Sequence, residues 1–316
     1  MPLPHDALPG ALFASPDHYL HSFDGPDARI VPMDRAAYHR SIFLDRRISP
    51  APGAPVARPV AALTGEAGSA LPTAWIFHMA HCGSTLLARA LDAPEASLVL
   101  REPQALRQTA LSPDPERLKL VLAMLGKRYR ADAPTLVKAN VPVNFLLPQI
   151  AAAEPEARAV LLHLKLRPYL LAILRSDYHR NWVRNVTHLL AAHFGDLSAL
   201  SDAERAAALW LAQMERFAAA LAAMPHAVAV DAEALFADPA PVLKIAARHL
   251  EVPIADAALD AAVAGPLFAT YSKNPSQAFD NDARMARNAA LEREIAPELD
   301  AAEAWIATQG RAIPAL

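Results

Sequence analysis

The chain has 316 residues, 53% hydrophobic and 20% charged, a globular composition long enough for one large α/β core or two modest domains. A formal charge of −3 gives no sign of a general polyanion binder, so no nucleic-acid partner is expected. One cysteine excludes an internal disulfide and fits a reducing compartment; with no basic-then-apolar leader at the start and no apolar run of membrane-spanning length, a cytoplasmic protein with no membrane partner is expected.

Residues 1–72 read as an irregular N-terminal segment packed on the core. Within it, 19–23 and 28–31 read as short strands, and 33–43 as a helix with Asp34 near its start. Residues 50–59 are proline-rich and read as an exposed linker, while Arg40, Arg46 and Arg47 read as a solvated basic face. Residues 75–79 are a short apolar run of strand length. A turn through His81-Cys82-Gly83 follows, then a helical pattern opened by Ser84 and Thr85, with Leu87, Ala90 and Leu91 at three- and four-residue spacing.

Residues 96–100 form a second expected strand, delivering Arg101-Glu102-Pro103 at its carboxyl end, the edge where open α/β sheets bind ligands. A purely structural role for Glu102 is an acid at the start of a 105–111 helix, favoured by the helix dipole. After a 114–129 helix, residues 134–137 read as a third strand ending in Lys138-Ala139-Asn140. A 143–153 helix and a 157–164 strand come next, then Lys165, Arg167 and Pro168 and a helix carrying Arg175 and Ser176. Helices over 177–194 and 202–223, the second with a Ser201/Glu204 capping box, precede a fifth strand at 227–230 ending at Asp231. A 239–250 helix, the polar stretch Tyr271-Ser272-Lys273-Asn274 and a last helix over 281–308 close the chain. Apolar strands alternating with helices predict an α/β fold: a mostly parallel sheet flanked by helices, over residues 73–316, with a helical insertion between the fourth and fifth strands.

Strand, glycine turn, hydroxyl pair and helix is the local order of a phosphate-binding loop. Backbone N–H groups and the positive end of the helix dipole face an anion there, and Gly83 lets the backbone approach it. The nucleotide-kinase form, G-x-x-x-x-G-K-[ST], requires glycine where His78 stands and lysine where Ser84 stands, which counts against ATP or GTP hydrolysis. His78 and His81 fall across a strand and a turn with no carboxylate or thiolate pattern to complete a set, so no metal is expected. Cys82 lies near a helix start, where a thiolate is favoured, but it reads as packing within the loop rather than as a nucleophile.

The run from Gly83-Ser84-Thr85 to Pro94, followed by Leu100-Arg101-Glu102-Pro103, resembles the P-loop sulfotransferase family, which uses 3′-phosphoadenosine-5′-phosphosulfate (PAPS). It is most similar to the protein-tyrosine sulfotransferase branch and its bacterial relatives. Leu136-Val137-Lys138 looks like that family's strand ending in lysine. The stretch from Ala229 to Pro239, continuing to Leu250-Glu251-Val252-Pro253, is similar to its C-terminal strand, acidic turn and following helix. The likeness spans about residues 73–275 and implies a P-loop sulfotransferase fold.

The resemblance implies these roles. Glu102 is the catalytic base, and His81, Cys82, Gly83, Ser84 and Thr85 form the loop around the 5′-phosphosulfate. His81 stands where the family carries Lys or Arg against the bridging oxygen, and would do that work when protonated, so that activity falls as pH rises. Lys138 joins His81 in neutralising charge on the leaving oxygen. The 3′-phosphate falls to one or more of Arg167, Arg175 and Ser176, whose register is shifted from the family's Arg and Ser; their structural alternative is surface ion pairing. Lys273 closes over the cofactor from a late loop. The acceptor is a hydroxyl or amine of a small molecule or peptide, no metal takes part, and a homodimer is compatible. Two other functions remain open on the residues: a P-loop small-molecule kinase or NTPase, with Asp231 as magnesium ligand, and a non-catalytic nucleotide-binding protein of the same fold.

Overall fold

A computed structural model describes residues 9–93, 95–271, 274–278 and 280–316. The N-terminal part carries β1 (His18–Asp24), β2 (Asp27–Pro32) and β3 (Val56–Pro59), an antiparallel sheet in the order β1-β2-β3. The first two strands lie where the sequence places them. The third occupies the end of the stretch read as a linker: Val56 pairs with Ile30 and Pro59 with Asp27. Proline is tolerated there because β3 is an edge strand, with one side needing no ladder donor. Asp34 caps the helix Arg35–Arg40, its side chain accepting from the Ala37 N–H at 2.6 Å. That helix stops short of Phe43.

The main sheet is parallel and five-stranded: β4 (Ala74–His78), β5 (Val99–Arg101), β6 (Leu136–Lys138), β7 (Arg158–His163) and β8 (Ala227–Asp231), in the order β5-β6-β4-β7-β8. Helices flank it, giving the α/β fold that alternating apolar strands predict. Every residue of central β4 is buried, as expected for a strand covered on both faces. Strands β5 and β6 lie on one side of β4, and β7 and β8 on the other. The chain therefore changes direction at β4, and the crevice such a switch creates lies beyond the carboxyl ends of the strands.

The insertion between β7 and β8 contains the helices Asp177–Leu189 and Asp202–Ala223. The second has the expected capping box: the Glu204 N–H donates to Ser201 Oγ, and the Ser201 N–H to Glu204 Oε2. The C-terminal helix is two, Asn281–Glu294 and Ala296–Thr308, because Pro297 at the start of the second supplies no backbone donor. A small antiparallel pair, β9 (Thr270–Tyr271) and β10 (Asn274–Ala278), precedes them.

One buried side chain fastens the N-terminal part to the main sheet. Arg101, at the end of β5, is 2% exposed. It donates to Asp92 at 2.5 Å and to the carbonyls of Tyr38 at 2.8 Å and Ser41 at 2.6 Å. Leu44 N–H donates to the Arg101 carbonyl at 2.7 Å. These bonds set Phe43, Asp45 and Arg47 against the carboxyl edge of the sheet, where they line the crevice. Arg47 is thus part of the crevice wall, its guanidinium carbon 3.9 Å from the centre of the Phe43 ring, rather than only a solvated surface charge.

Candidate functional site

The crevice is a cleft of about 1160 Å³. Its floor is the turn leaving β4. His81 has φ 61° and Gly83 φ 80°, so two residues of the turn sit in the left-handed region. A Cβ on Gly83 would lie 2.9 Å from the Phe236 ring, so glycine is required here by its neighbour as well as by its backbone angle. Leu86 and Leu87 N–H groups return to the Gly83 carbonyl and start the helix Ser84–Ala90. Ser84 and Thr85 line the cleft. Cys82 turns away beneath the loop: its thiol donates to the Met79 carbonyl at 2.9 Å, and burial pushes its pKa up to about 11. It is a packing group, and the helix start does not make it a thiolate.

Beside the floor, β5 and β6 end together, with Arg101 opposite Lys138 in the ladder. The next residue, Glu102, takes φ 56°, and its N–H donates to the Lys138 carbonyl at 2.7 Å. The Lys138 ammonium pairs with the Glu102 carboxylate. Its side chain is 1% exposed and that of Glu102 18%, so the acid is the member that meets the cleft. His78, also on the lining, lies between the carbonyls of Met79 at 2.7 Å and Ala139 at 2.8 Å. Burial first, and the Lys138 charge second, push its pKa down to about 3, which favours the neutral ring, whose one N–H serves one of the two carbonyls. Asn140 lines the same region, and its buried Oδ1 has no partner among the described residues.

The cleft lining is also rich in guanidinium groups. Arg175 donates to His179 Nε2 at 2.7 Å and to Tyr271 Oη at 3.1 Å, and lies 3.5 Å from His81 Nδ1. Because arginine only donates, His179 Nε2 accepts; its proton is then on Nδ1, which donates to Ser176 Oγ at 2.6 Å. The His81 and His179 rings meet edge to face at 4.5 Å. Arg284 forms a two-pronged pair with Glu233, at 2.9 and 2.8 Å, over the Phe236 ring. Burial, then the charge of Arg175, push Arg287 down to about 10, a sign of crowded positive charge.

The structure therefore brings His81, Gly83, Ser84, Thr85, Glu102, Lys138 and Arg175 to one cleft. Ser176 sits at its rim, lining an adjoining hollow of about 580 Å³ with Arg175, Tyr271 and Arg287. Arg167 is elsewhere. It does not line the cleft and is held by Glu292 at 2.7 Å, Asp300 at 3.2 Å and Glu303 at 3.2 Å, the ion-paired alternative for that residue. Lys273 lies outside the described residues. Arg284 and Arg287 were not singled out by sequence reasoning, although their three-residue spacing in a helical pattern puts them on one face. Arg47, Arg107 and His179 also line the cleft without having been named for it. Asp231 caps the helix Ala232–Ala237 by accepting from Glu233 N–H at 2.9 Å. Among the described residues no three His, Cys, Asp or Glu side chains gather to hold a metal ion, and no helix is long and apolar enough to cross a membrane.

No protein-family profile and no curated protein sequence matches the chain. Among solved structures it is similar to a sulfotransferase from Alicyclobacillus acidocaldarius, at 14% identity and a TM-score of 0.40, over 75% of this chain and 96% of that one. It is also similar to the sulfotransferase domain from the curacin biosynthetic pathway, at 14% identity and a TM-score of 0.43, over 68% of this chain and 86% of that one.

Proposed function

We propose that the chain is a sulfotransferase that moves a sulfonate group from PAPS to a hydroxyl or amine, with Glu102 as general base. The observation that carries this reading is one cleft lined both by a carboxylate–ammonium pair and by several guanidiniums. The lining fits a nucleotide bearing several anionic groups: Arg175 donates to His179 and Tyr271 and has no carboxylate partner among the described residues. The hydroxyls of Ser84 and Thr85 offer donors to such groups.

When bound, PAPS supplies a sulfonyl group activated by its phosphate. Glu102 accepts the proton of the acceptor as the acceptor attacks sulfur. That proton neutralises the partner of Lys138. Lys138 would then hold an ammonium no longer matched by its carboxylate, a positive charge available to offset negative charge developing in the cleft. Arg175 holds a permanent charge beside His81, so the loop position needs no protonated histidine. Arg287 and Arg284 extend the cationic wall on which the nucleotide's phosphates would rest.

Thermal unfolding with 3′,5′-adenosine bisphosphate, against ATP plus magnesium, tests the reading. A ligand at a hundred times its dissociation constant adds about 2.7 kcal/mol, a shift of a few degrees. The bisphosphate alone should give it. A shift with ATP alone supports a kinase, and none with either rejects a nucleotide site.

A further inference from the structure

The helix Asp177–Leu189 opens on Ser176, whose side chain is not used as a cap. A serine at that position ordinarily accepts from a backbone N–H of the first turn. The Ser176 hydroxyl lies instead 2.6 Å from Nδ1 of His179, three residues on. This contact aims the His179 ring, and its other nitrogen meets Arg175. Two guanidinium nitrogens converge on His179 Nε2, the arginine Nε at 3.1 Å and Nη2 at 2.7 Å. Nη2 also donates to Tyr271 Oη at 3.1 Å. Both held nitrogens lie on one edge of the guanidinium fork. Nη1 makes no hydrogen bond among the described residues. The chain thus fixes one edge of an arginine that lines the cleft and leaves donors for a ligand.

The hold depends on charge. Arginine only donates, so Nε2 accepts as a bare nitrogen. A proton there would set N–H against N–H and add a second positive charge beside the first. The other titratable and charged groups facing the pair come from four elements. His81 stands on the loop after β4, its ring centre 4.5 Å from that of His179. Asp177 and Tyr178 share the helix, the Tyr178 ring 5.3 Å away. Tyr271 is on β9, and Arg287, on the helix Asn281–Glu294, feels the charge of Arg175. On neighbouring helices, the carboxylates of Asp202 and Glu298 pair with Arg184 and Arg180.

We infer that His179 is a positioning residue that gates the cleft's grip on an anion: neutral, it orders the Arg175 guanidinium for the ligand, and protonated, it releases it. The inference rests on the sulfotransferase reading for the identity of the anion, the nucleotide's phosphates, and not for the gate. Binding then weakens on acidification, the reverse of what a protonated His81 acting as the loop's own cation would give.

Calorimetric titration of the full chain with 3′,5′-adenosine bisphosphate, and with inorganic pyrophosphate as an anion without a nucleoside, tests this at about pH 5 and about pH 8. His179→Ala should weaken binding at the higher pH by about 2- to 10-fold, the cost of ordering one loose, rotamer-rich side chain on binding. His179→Gln keeps an acceptor oxygen but takes no proton, and should recover most of that loss. Phosphates themselves take up protons near about pH 6, so wild type is compared with His179→Gln at each pH. The two should be close at the higher pH, and wild type the weaker binder at the lower. In an Arg175→Gln background His179→Ala should change affinity no further. A histidine that only props the fold would lower the melting temperature in both backgrounds and leave this pattern absent. Unchanged affinity in His179→Ala overturns the inference, as does the same loss without Arg175. So does tighter binding by wild type than by His179→Gln at the lower pH, because a protonated His179 would then grip the anion itself. His179-dependent binding of pyrophosphate in a chain that ignores the bisphosphate keeps the gate and rejects the nucleotide reading. Bisphosphate binding indifferent to His179 does the reverse, and binding of neither probe rejects both.

Discussion

Lys138 and Glu102 pair across the neighbouring ends of β6 and β5, and the pair is lopsided: the lysine side chain is 1% exposed and the glutamate 18%. Removing the acid strands a sealed charge. Removing the lysine leaves a carboxylate that water still reaches. Glu102→Leu should therefore lose more stability in urea unfolding than Lys138→Met; a stranded buried charge costs on the order of 3 kcal/mol. Equal losses would mean that the pair contributes as an ordinary surface contact.

Glu102→Gln keeps the size and one acceptor oxygen but removes the proposed base. Sulfonation should fall by about 10²- to 10⁴-fold, while the bisphosphate still raises the melting temperature. Undiminished transfer by the variant removes Glu102 from the role of base.

Gly83→Ala meets two obstacles, the φ of 80° and the Phe236 ring at 2.9 Å. It should cost about 1 to 2 kcal/mol for the backbone alone, plus the clash. Phe236→Leu in the same chain should recover the clash and leave the backbone cost. Full recovery in the double variant would show that the ring is the whole obstacle.

Asp92 is 5% exposed and receives Arg101 and Arg35 together. Asp92→Asn should destabilise by about 3 to 5 kcal/mol, and should open the 38–47 stretch to protease before the main sheet unfolds. Unchanged proteolysis there would mean that the stretch is held by packing alone.

Lys127 is buried, donating to the carbonyls of Leu12, at 3.0 Å, and His18. Burial pushes its pKa down from 10.5 to about 7. Between those values the unfolded chain binds the proton and the folded chain does not, so stability rises with pH across that window. Below pH 7 both states are protonated and the penalty is constant. Lys127→Met should flatten the difference between stability at pH 7 and pH 10. If both chains show the same rise, Lys127 is not its source.

The sequence makes the centre of the site legible because the signals there are local. An apolar run, a glycine turn and a hydroxyl pair lie side by side at β4, and Glu102 and Lys138 each end a strand whose edge is known to bind ligands. The far wall is built differently. Arg284 and Arg287 reach the cleft from a helix that follows all five strands of the main sheet, and nothing near them in the chain marks the contact. Arg167 shows the converse: it follows a strand closely, yet Glu292, Asp300 and Glu303 on later helices take its guanidinium. The prolines of 50–59 suggest a linker because an edge strand tolerates them, and which strand is an edge depends on pairing between distant segments.

Arg101 and Glu102 are adjacent, yet they divide two tasks. The first grips the carbonyls of the N-terminal segment and the second faces the cleft. The wall formed by Phe43 and Arg47 is thus clipped beside the cleft through one arginine that pairs with Asp92 and, in the N-terminal segment, takes backbone carbonyls. Backbone recognition is indifferent to side-chain identity. Phe43 and Leu44 are buried and fixed by packing, but residues 45–47 are a short cassette open to drift or to grafting: new side chains there remodel the mouth of the cleft while the clip, and the acid beside it, stay as they are.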